Sequence, residues 1–370
     1  MILLMSVMQM AGAGEYIYQQ NGKLLYLWSA TDVTELYTTN GTIMRFAVED
    51  VVENDNHYAI VKQEGWALVA NTSYYGCYPY SLYHKLTQSP YTALPIAYTN
   101  QTQVANGNTE HLAAYDFMTA HGTTSDDALS LAYTHLGSVL RIAAYIPEDK
   151  TFSSLTLSAK DNSAWFISEA TMNATNNTIN ATETVSTATL TLNNITVEAG
   201  DSLIAYMMLP PTDLSGKTIM LSLNATDGTA LQTYIAGVNI QAGKVYPVSV
   251  GKENYFKVSI ANNNANNSLE VLSLQTDFEE NEVTDTQITT ATAYAPDFTL
   301  DTVNKFKPFL LGDVNFDGTV DVTDAVLIIN HYQARTTEQL DFNVSDVNGD
   351  SVIDVTDAVG IINIYQNRMQ

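Results

Sequence analysis

Between Gly312 and Gln366 the chain writes one short element twice, and no other stretch constrains it as much. The first copy, Gly312 to Val326, reads GDVNFDGTVDVTDAV, and the second, Ser345 to Val359, reads SDVNGDSVIDVTDAV. Asp346 follows Asp313 by 33 residues. Counting that first aspartate as position 1, oxygen-bearing side chains fall at positions 1, 3, 5, 9 and 12 of both copies. A hard divalent cation takes about six to eight oxygens, and alternate residues of a tight loop can aim theirs at one centre. In copy one these are Asp313, Asn315, Asp317, Asp321 and Asp324, with the main-chain carbonyl of Thr319 at position 7. In copy two they are Asp346, Asn348, Asp350, Asp354 and Asp357, with the carbonyl of Val352. Each loop carries four carboxylates and no basic residue, so its charges repel one another unless a cation enters. Acidic Asx-turns on a solvated surface would explain one such match but not two in register. The pattern predicts two Ca2+ ions.

The flanks distinguish the element from a full EF-hand, which needs an entering helix and a bidentate Glu at position 12. Here position 12 is Asp, and the residues before each loop are too short, or in the case of Pro308 too broken, for an entering helix. An exiting helix is predicted after each loop, with an apolar stripe of Val326, Ile329 and Tyr332 beside Ile328, repeated as Val359, Ile362 and Tyr365 beside Ile361. This EF-hand-like loop–helix duplication resembles the dockerin type I domain over about residues 306–370. The resemblance implies a small α domain with two calcium ions, two antiparallel helices and a docking surface for a cohesin-type protein domain. By the same resemblance, Val322 and Thr323, with Val355 and Thr356, would contact the partner; the pairs are identical, which implies a surface usable in two orientations. Position 6 is Gly318 in one loop and Ser351 in the other, so the second site is expected to be the weaker.

Composition narrows what the remaining residues can do. Fifteen Lys and Arg stand against 40 Asp and Glu, a net charge of −25, which argues against nucleic acid or an anionic membrane as partner. The single Cys77 cannot form an intramolecular disulfide, and no Cys/His zinc spacing occurs. No apolar run reaches the roughly 18 residues of a membrane helix. Residues 1–14 are apolar and then small, similar to a signal segment without its basic start, and no lipobox cysteine follows.

From Glu15 onward the pattern is strand, turn, strand: Tyr16 to Tyr18, an Asn21-Gly22 hairpin turn, then Leu24 to Trp28. Further strands are predicted at 42–48, 58–62 and 66–70. Tyr74, Tyr75, Tyr78 and Tyr80 crowd one short stretch. They could form a platform stacking a glycan or another host-surface ligand, or a strand with half-buried tyrosines, and the amphipathic spacing favours the strand. Strands are also predicted at 140–146, 154–159, 188–192, 203–208 and 269–274, with an Asn/Thr-rich loop at 173–184. His135 is expected to be a satisfied core histidine and Arg45 a strand arginine.

The order of the YYGCYPYS stretch, Tyr115 to Met118, Tyr133 to His135, the Met-Leu-Pro of 208–210 and the Gly-Lys-Val-Tyr of 243–246 resembles the fimbrillin family across about residues 15–250. The family implies a mainly β chain with two transthyretin-like β-sandwich domains, at 15–127 and 128–250. Residues 251–305, with their Asn-rich tract and acidic Thr-rich run, are expected to be an extended linker to the 306–370 module. No Ser-His-Asp arrangement, metal-hydrolase motif or convincing carboxylate pair occurs in 15–250. The expectation is a non-enzymatic, secreted or surface-held adhesin of a Gram-negative envelope, tethered through its dockerin-like end. Alternatives are a component of extracellular polysaccharide degradation, or a module that only stabilises its own chain with calcium.

Overall fold

The computed structural model describes residues 14–52, 57–62, 67–125, 128–251, 256–259, 290–336 and 339–368. It is mainly β, with a small helical module formed by residues 310–368. Among the described residues no helix is long and apolar enough to cross a membrane. Residues 1–13 of the expected signal segment, and the strand expected at 269–274, lie outside the described residues.

An eight-stranded sheet organises the N-terminal body. Its order is Ser130–Ala132, Thr290–Tyr294, Tyr58–Lys62, Ile43–Val51, Val33–Thr38, Ser73–Tyr78, Met118–Thr123 and Thr134–His135. Only the first pair is parallel. A separate hairpin, Glu15–Tyr18 with Leu24–Leu27, turns at Asn21-Gly22, where Gly22 takes the positive φ of 82° that such a turn needs. Tyr74 and Tyr78 point into the core from the Ser73–Tyr78 strand, and Tyr80 is buried just beyond it. Tyr75, on the other face, stacks on Tyr91 with ring centres 4.5 Å apart. The tyrosine stretch is therefore a central strand. His135 is buried too: Nδ1 lies 2.8 Å from Asp116 Oδ1, and Nε2 lies 2.6 Å from the Pro296 carbonyl. Arg45 sits mid-strand with its guanidinium 5.7 Å from the Tyr80 ring centre.

The central body is built from two sheets that share one apolar core. One runs Ser202–Leu209, Ser138–Tyr145, Lys244–Val250, Thr299–Leu300. The other runs Phe256–Ser259, Thr229–Ala236, Thr218–Ala225, Lys150–Ala159, Thr187–Val197, Gln101–Gln103. Alternate residues explain the layering, because successive side chains of a strand face opposite ways. Leu140, Ile142 and Ala144 point inward from the first sheet, and Leu155, Leu157, Leu221 and Leu223 meet them from the second.

Three expectations need correction. First, the division near 127 does not separate the sheets. Ser130–Ala132 and Thr134–His135 still belong to the N-terminal sheet, while Leu94–Ala97 and Gln101–Gln103 pair with strands of the central body. Second, residues 290–305 were expected in an extended linker, but Thr290–Tyr294 lies between two N-terminal strands and Thr299–Leu300 joins the central sheet. The signal was faint because only Ala291 and Ala293 turn inward from Thr290–Tyr294, and alanine gives a weak apolar alternation. Third, the loop expected at 173–184 is largely a strand. Thr178–Val185 pairs antiparallel with Phe166–Asn173, turning where Asn177 takes a φ of 55°. Its outward side chains conceal it, since a mostly exposed strand shows no apolar alternation. In the described part of 66–70, only Leu68 has bridge character.

Candidate metal centre

Both repeated loops close on the carboxylate at position 12. Asp324 is fully buried; its Oδ1 accepts from the N–H groups of Val314 (2.8 Å) and Asn315 (3.1 Å), and its Oδ2 from that of Asp321 (2.9 Å). Asp357, also fully buried, does the same 33 residues on, with Val347 (2.7 Å), Asn348 (3.1 Å) and Asp354 (2.9 Å). Asp321 caps the first helix, accepting from the N–H and hydroxyl of Thr323 at 2.7 and 2.6 Å, and Asp354 holds Thr356 at the same two distances. A carboxylate at a helix start relieves unpaired N–H groups there. One aspartate thus spans the loop from entry to exit, and a second starts the helix.

The remaining predicted ligands line each loop. Asp313 accepts from the N–H of Asp317 (3.1 Å) and of Gly318 (3.0 Å), and Asp346 from those of Gly349 (2.9 Å) and Ser351 (3.2 Å). Asn315 donates to Asp317 Oδ2 at 2.8 Å, and Asn348 to Asp350 at 2.9 Å. Asp317 is held below the usual carboxylate range by the hydroxyl and N–H of Thr319 and by Asn315. Thr356 lowers Asp354 in the same manner. Asp313 goes the other way: burial pushes its carboxyl up, and the charges of Asp324 and Asp317 add to that against the hydrogen bond from Gly318. Gathered carboxylates, one of them destabilised as an anion by burial and by its neighbours, suit a divalent cation. Among the described residues no three His, Cys, Asp or Glu groups suffice to hold a metal alone. The fit depends on the asparagine and the position 7 carbonyl as well, which is ordinary for calcium.

Each loop has one glycine and one side-chain-bearing residue in the left-handed region, but at exchanged positions. In the first, Phe316 has φ 59° and Gly318 φ 87°; in the second, Gly349 has φ 78° and Ser351 φ 71°. Ser351 therefore has a counterpart in Phe316. The expected weakness of the second loop, argued from Ser351 alone, has an equal on the other side.

The helices differ from expectation in which face they bury. Val322–Tyr332 and Val355–Arg368 pack together around Leu310, Val314, Val320, Ala325, Ile328, Ala358 and Ile361. Val326 and Tyr332, expected in the apolar stripe, are 51% and 59% exposed, and Val359 is 56% exposed. The stripe turns because Asp324 and Asp357 must face their loops, which places Ala325 and Ile328, or Ala358 and Ile361, inward. The predicted partner residues Val322, Thr323, Val355 and Thr356 are all exposed. A one-turn helix, Phe342–Ser345, enters the second loop where none was expected, capped by Asp341. The Lys307–Phe309 strand enters the first and pairs with Thr229–Ala236 of the central body, where Phe309 stacks on Tyr234. A cleft of about 370 Å³ opens at that junction, lined by Ala236, Pro308, Asp313, Phe316 and Asn343 among others. Lys160, which sequence reasoning passed over, reaches the second loop from the central sheet across 186 residues of chain. No local pattern could have announced that contact.

A mainly β chain carrying a small duplicated loop–helix module is the class of molecule these features define. The chain belongs to the Fimbrillin-like family, whose model matches residues 66–271, and residues 311–364 match the Dockerin type I domain. The Fimbrillin-like family is structural and non-enzymatic, and dockerin type I domains bind calcium. Solved structures similar to this chain include a candidate cell adhesion protein from Bacteroides ovatus, 13% identical with a TM-score of 0.40, covering 68% of this chain and 94% of that one. Another, from Bacteroides uniformis, is 13% identical with a TM-score of 0.39 and covers 67% of this chain and 94% of that one. No curated protein matches the chain.

Proposed function

We propose that this chain is a secreted or surface-held adhesion-type protein that binds two calcium ions in its duplicated loops and is tethered through them to a cohesin-type domain. The ligands are Asp313, Asn315, Asp317, Asp321, Asp324 and the Thr319 carbonyl in one loop. In the other they are Asp346, Asn348, Asp350, Asp354, Asp357 and the Val352 carbonyl. The observation that carries this is the position 12 aspartate, buried in both copies and hydrogen-bonded to equivalent N–H groups at both ends of its loop. Two independent stretches of chain fold into the same carboxylate cradle. The partner face is the exposed apolar edge Val322 and Val326 with Thr323, and its equivalent Val355 and Val359 with Thr356. Solvent-facing valines at matching places on both helices support a surface that a partner covers. Capture of a cohesin-type domain by the full chain, in calcium and in chelator, tests this. Binding in calcium alone, abolished in the V322D/V355D double variant, is expected; retention in chelator defeats the reading.

A second role, compatible with the first, is stabilisation of the chain itself by calcium. The pairing of Lys307–Phe309 with Thr229–Ala236 favours it, because the segment entering the first loop is also an edge strand of the central sheet. A ligand present at about 100 times its Kd stabilises the form it binds by about 2.7 kcal/mol. Chelation should therefore lower the melting temperature of the central body, and an unchanged melting curve removes this role while leaving the tether standing.

A further inference from the structure

One lysine of the central body holds the second loop. Lys160, just past the Lys150–Ala159 strand, donates from Nζ to the main-chain oxygen of Asp346, position 1 of that loop. The same side chain runs beside Gly349, where an added Cβ would lie 3.7 Å from Lys160 Cε and 4.0 Å from Nζ. Burial holds the Lys160 amine below its usual range, and the charges of Asp346 and Asp357 oppose that only in part. Thr218, whose carbonyl accepts from the Lys160 N–H at 3.1 Å, contacts Asn343 at 3.4 Å and adds to the seat. Among the described residues the first loop has no matching bond from a lysine. Lys307 lines the cleft beside Asp313, Phe316 and Gly318, and among the described residues it makes no hydrogen bond or ion pair to that loop.

We propose that Lys160 is a built-in counter-cation of the second loop, making it the weaker of the two calcium sites. This rests on the calcium reading of the loops. The backbone does not rank the sites: the hydrogen bonds of their position 12 carboxylates correspond, and each carries one side-chain-bearing residue at positive φ. The ammonium does rank them. It and a divalent cation share one negative field, and the main-chain bond of Lys160 to Thr218 keeps it in place, so an ion arriving at the second loop meets a like charge hydrogen-bonded to that loop.

The test is a calorimetric calcium titration of the full chain as wild type, Lys160→Met and Lys160→Arg. Wild type should show two unequal steps. Lys160→Met should tighten the weaker step by about three- to tenfold and leave the stronger unchanged, while Lys160→Arg keeps the wild-type profile. Should methionine not be tolerated, as far-ultraviolet circular dichroism would reveal, Lys160→Gln makes the same comparison. A weaker step that is unchanged or weakened in a folded charge-removing variant overturns the role of Lys160. No calcium heat in the wild type defeats the metal reading itself, a distinct result.

Discussion

His84 Nδ1 stands 2.7 Å from Oε1 of Glu35, and both side chains are almost wholly buried. The other ring nitrogen, Nε2, faces the Pro95 carbonyl at 2.7 Å. Oxygen atoms face both ring nitrogens, an arrangement that favours the doubly protonated ring. Burial pulls the His84 pKa down, but the Glu35 charge and the hydrogen bonds more than offset that, leaving it raised. A raised histidine pKa adds stability that is complete below the unfolded value of about 6.5 and is lost as pH climbs through the folded value. The melting temperature should therefore decline from about pH 6.5 upward by more in the wild type than in a Glu35→Leu/His84→Phe double variant. Replacing His84 alone by Ala strands a buried carboxylate and should cost about 3–5 kcal/mol. Parallel pH profiles for wild type and double variant rule the pair out as the source.

Asp324 and Asp357 each accept three main-chain hydrogen bonds. Asp324→Ala should remove one of two calcium steps in a titration and destabilise the helical module by about 3 kcal/mol in chelator, since buried donors lose their acceptor. Asp357→Ala should do the same to the other step. If both steps persist in either variant, position 12 is not a ligand.

Ser351 holds a left-handed backbone at φ 71° and is exposed. Ser351→Gly relieves a strain of about 1 kcal/mol there, and the melting temperature of the module in chelator should rise. The mirror variant Phe316→Gly should act the same way on the first loop, where φ is 59°. A fall in melting temperature for Ser351→Gly would mean that unfolded-state entropy outweighs the strain.

Ala293 is fully buried within Thr290–Tyr294, between strands of the N-terminal body. Ala293→Asp should destabilise that body by about 3 kcal/mol or more, because it buries an unpaired charge. Thr292→Asp, on the exposed face of the same strand, should have little effect. Equal losses from the two substitutions would contradict the strand's place in the sheet.

How much of this was legible in the chain depends on whether the signal was local. The proposed ligands of each loop lie within 12 positions, so their spacing could be read directly from Asp313 to Asp324 and repeated from Asp346 to Asp357. The hairpin at Asn21-Gly22 was equally local. Glu35 and His84 are 49 residues apart and announce nothing to one another. Thr290–Tyr294 offers two alanines to the core, and its neighbours lie in distant sequence. The helices misled for another reason: the most apolar residues, Val326 and Val359, face outward because the position 12 aspartates fix how each helix is rotated.

The seat of Thr290–Tyr294 also sets an order of events. Its antiparallel partner is Tyr58–Lys62, so one edge of the N-terminal sheet needs residues that a ribosome adds more than two hundred positions later. Closure over such a separation is slow relative to local pairing. The N-terminal body is thus the first to begin folding and among the last to finish. Until residue 294 has emerged, the flanks of Tyr58–Lys62 and Ser130–Ala132 stay open to other strands, and a chaperone that shields them until then would be the natural companion of this chain during synthesis.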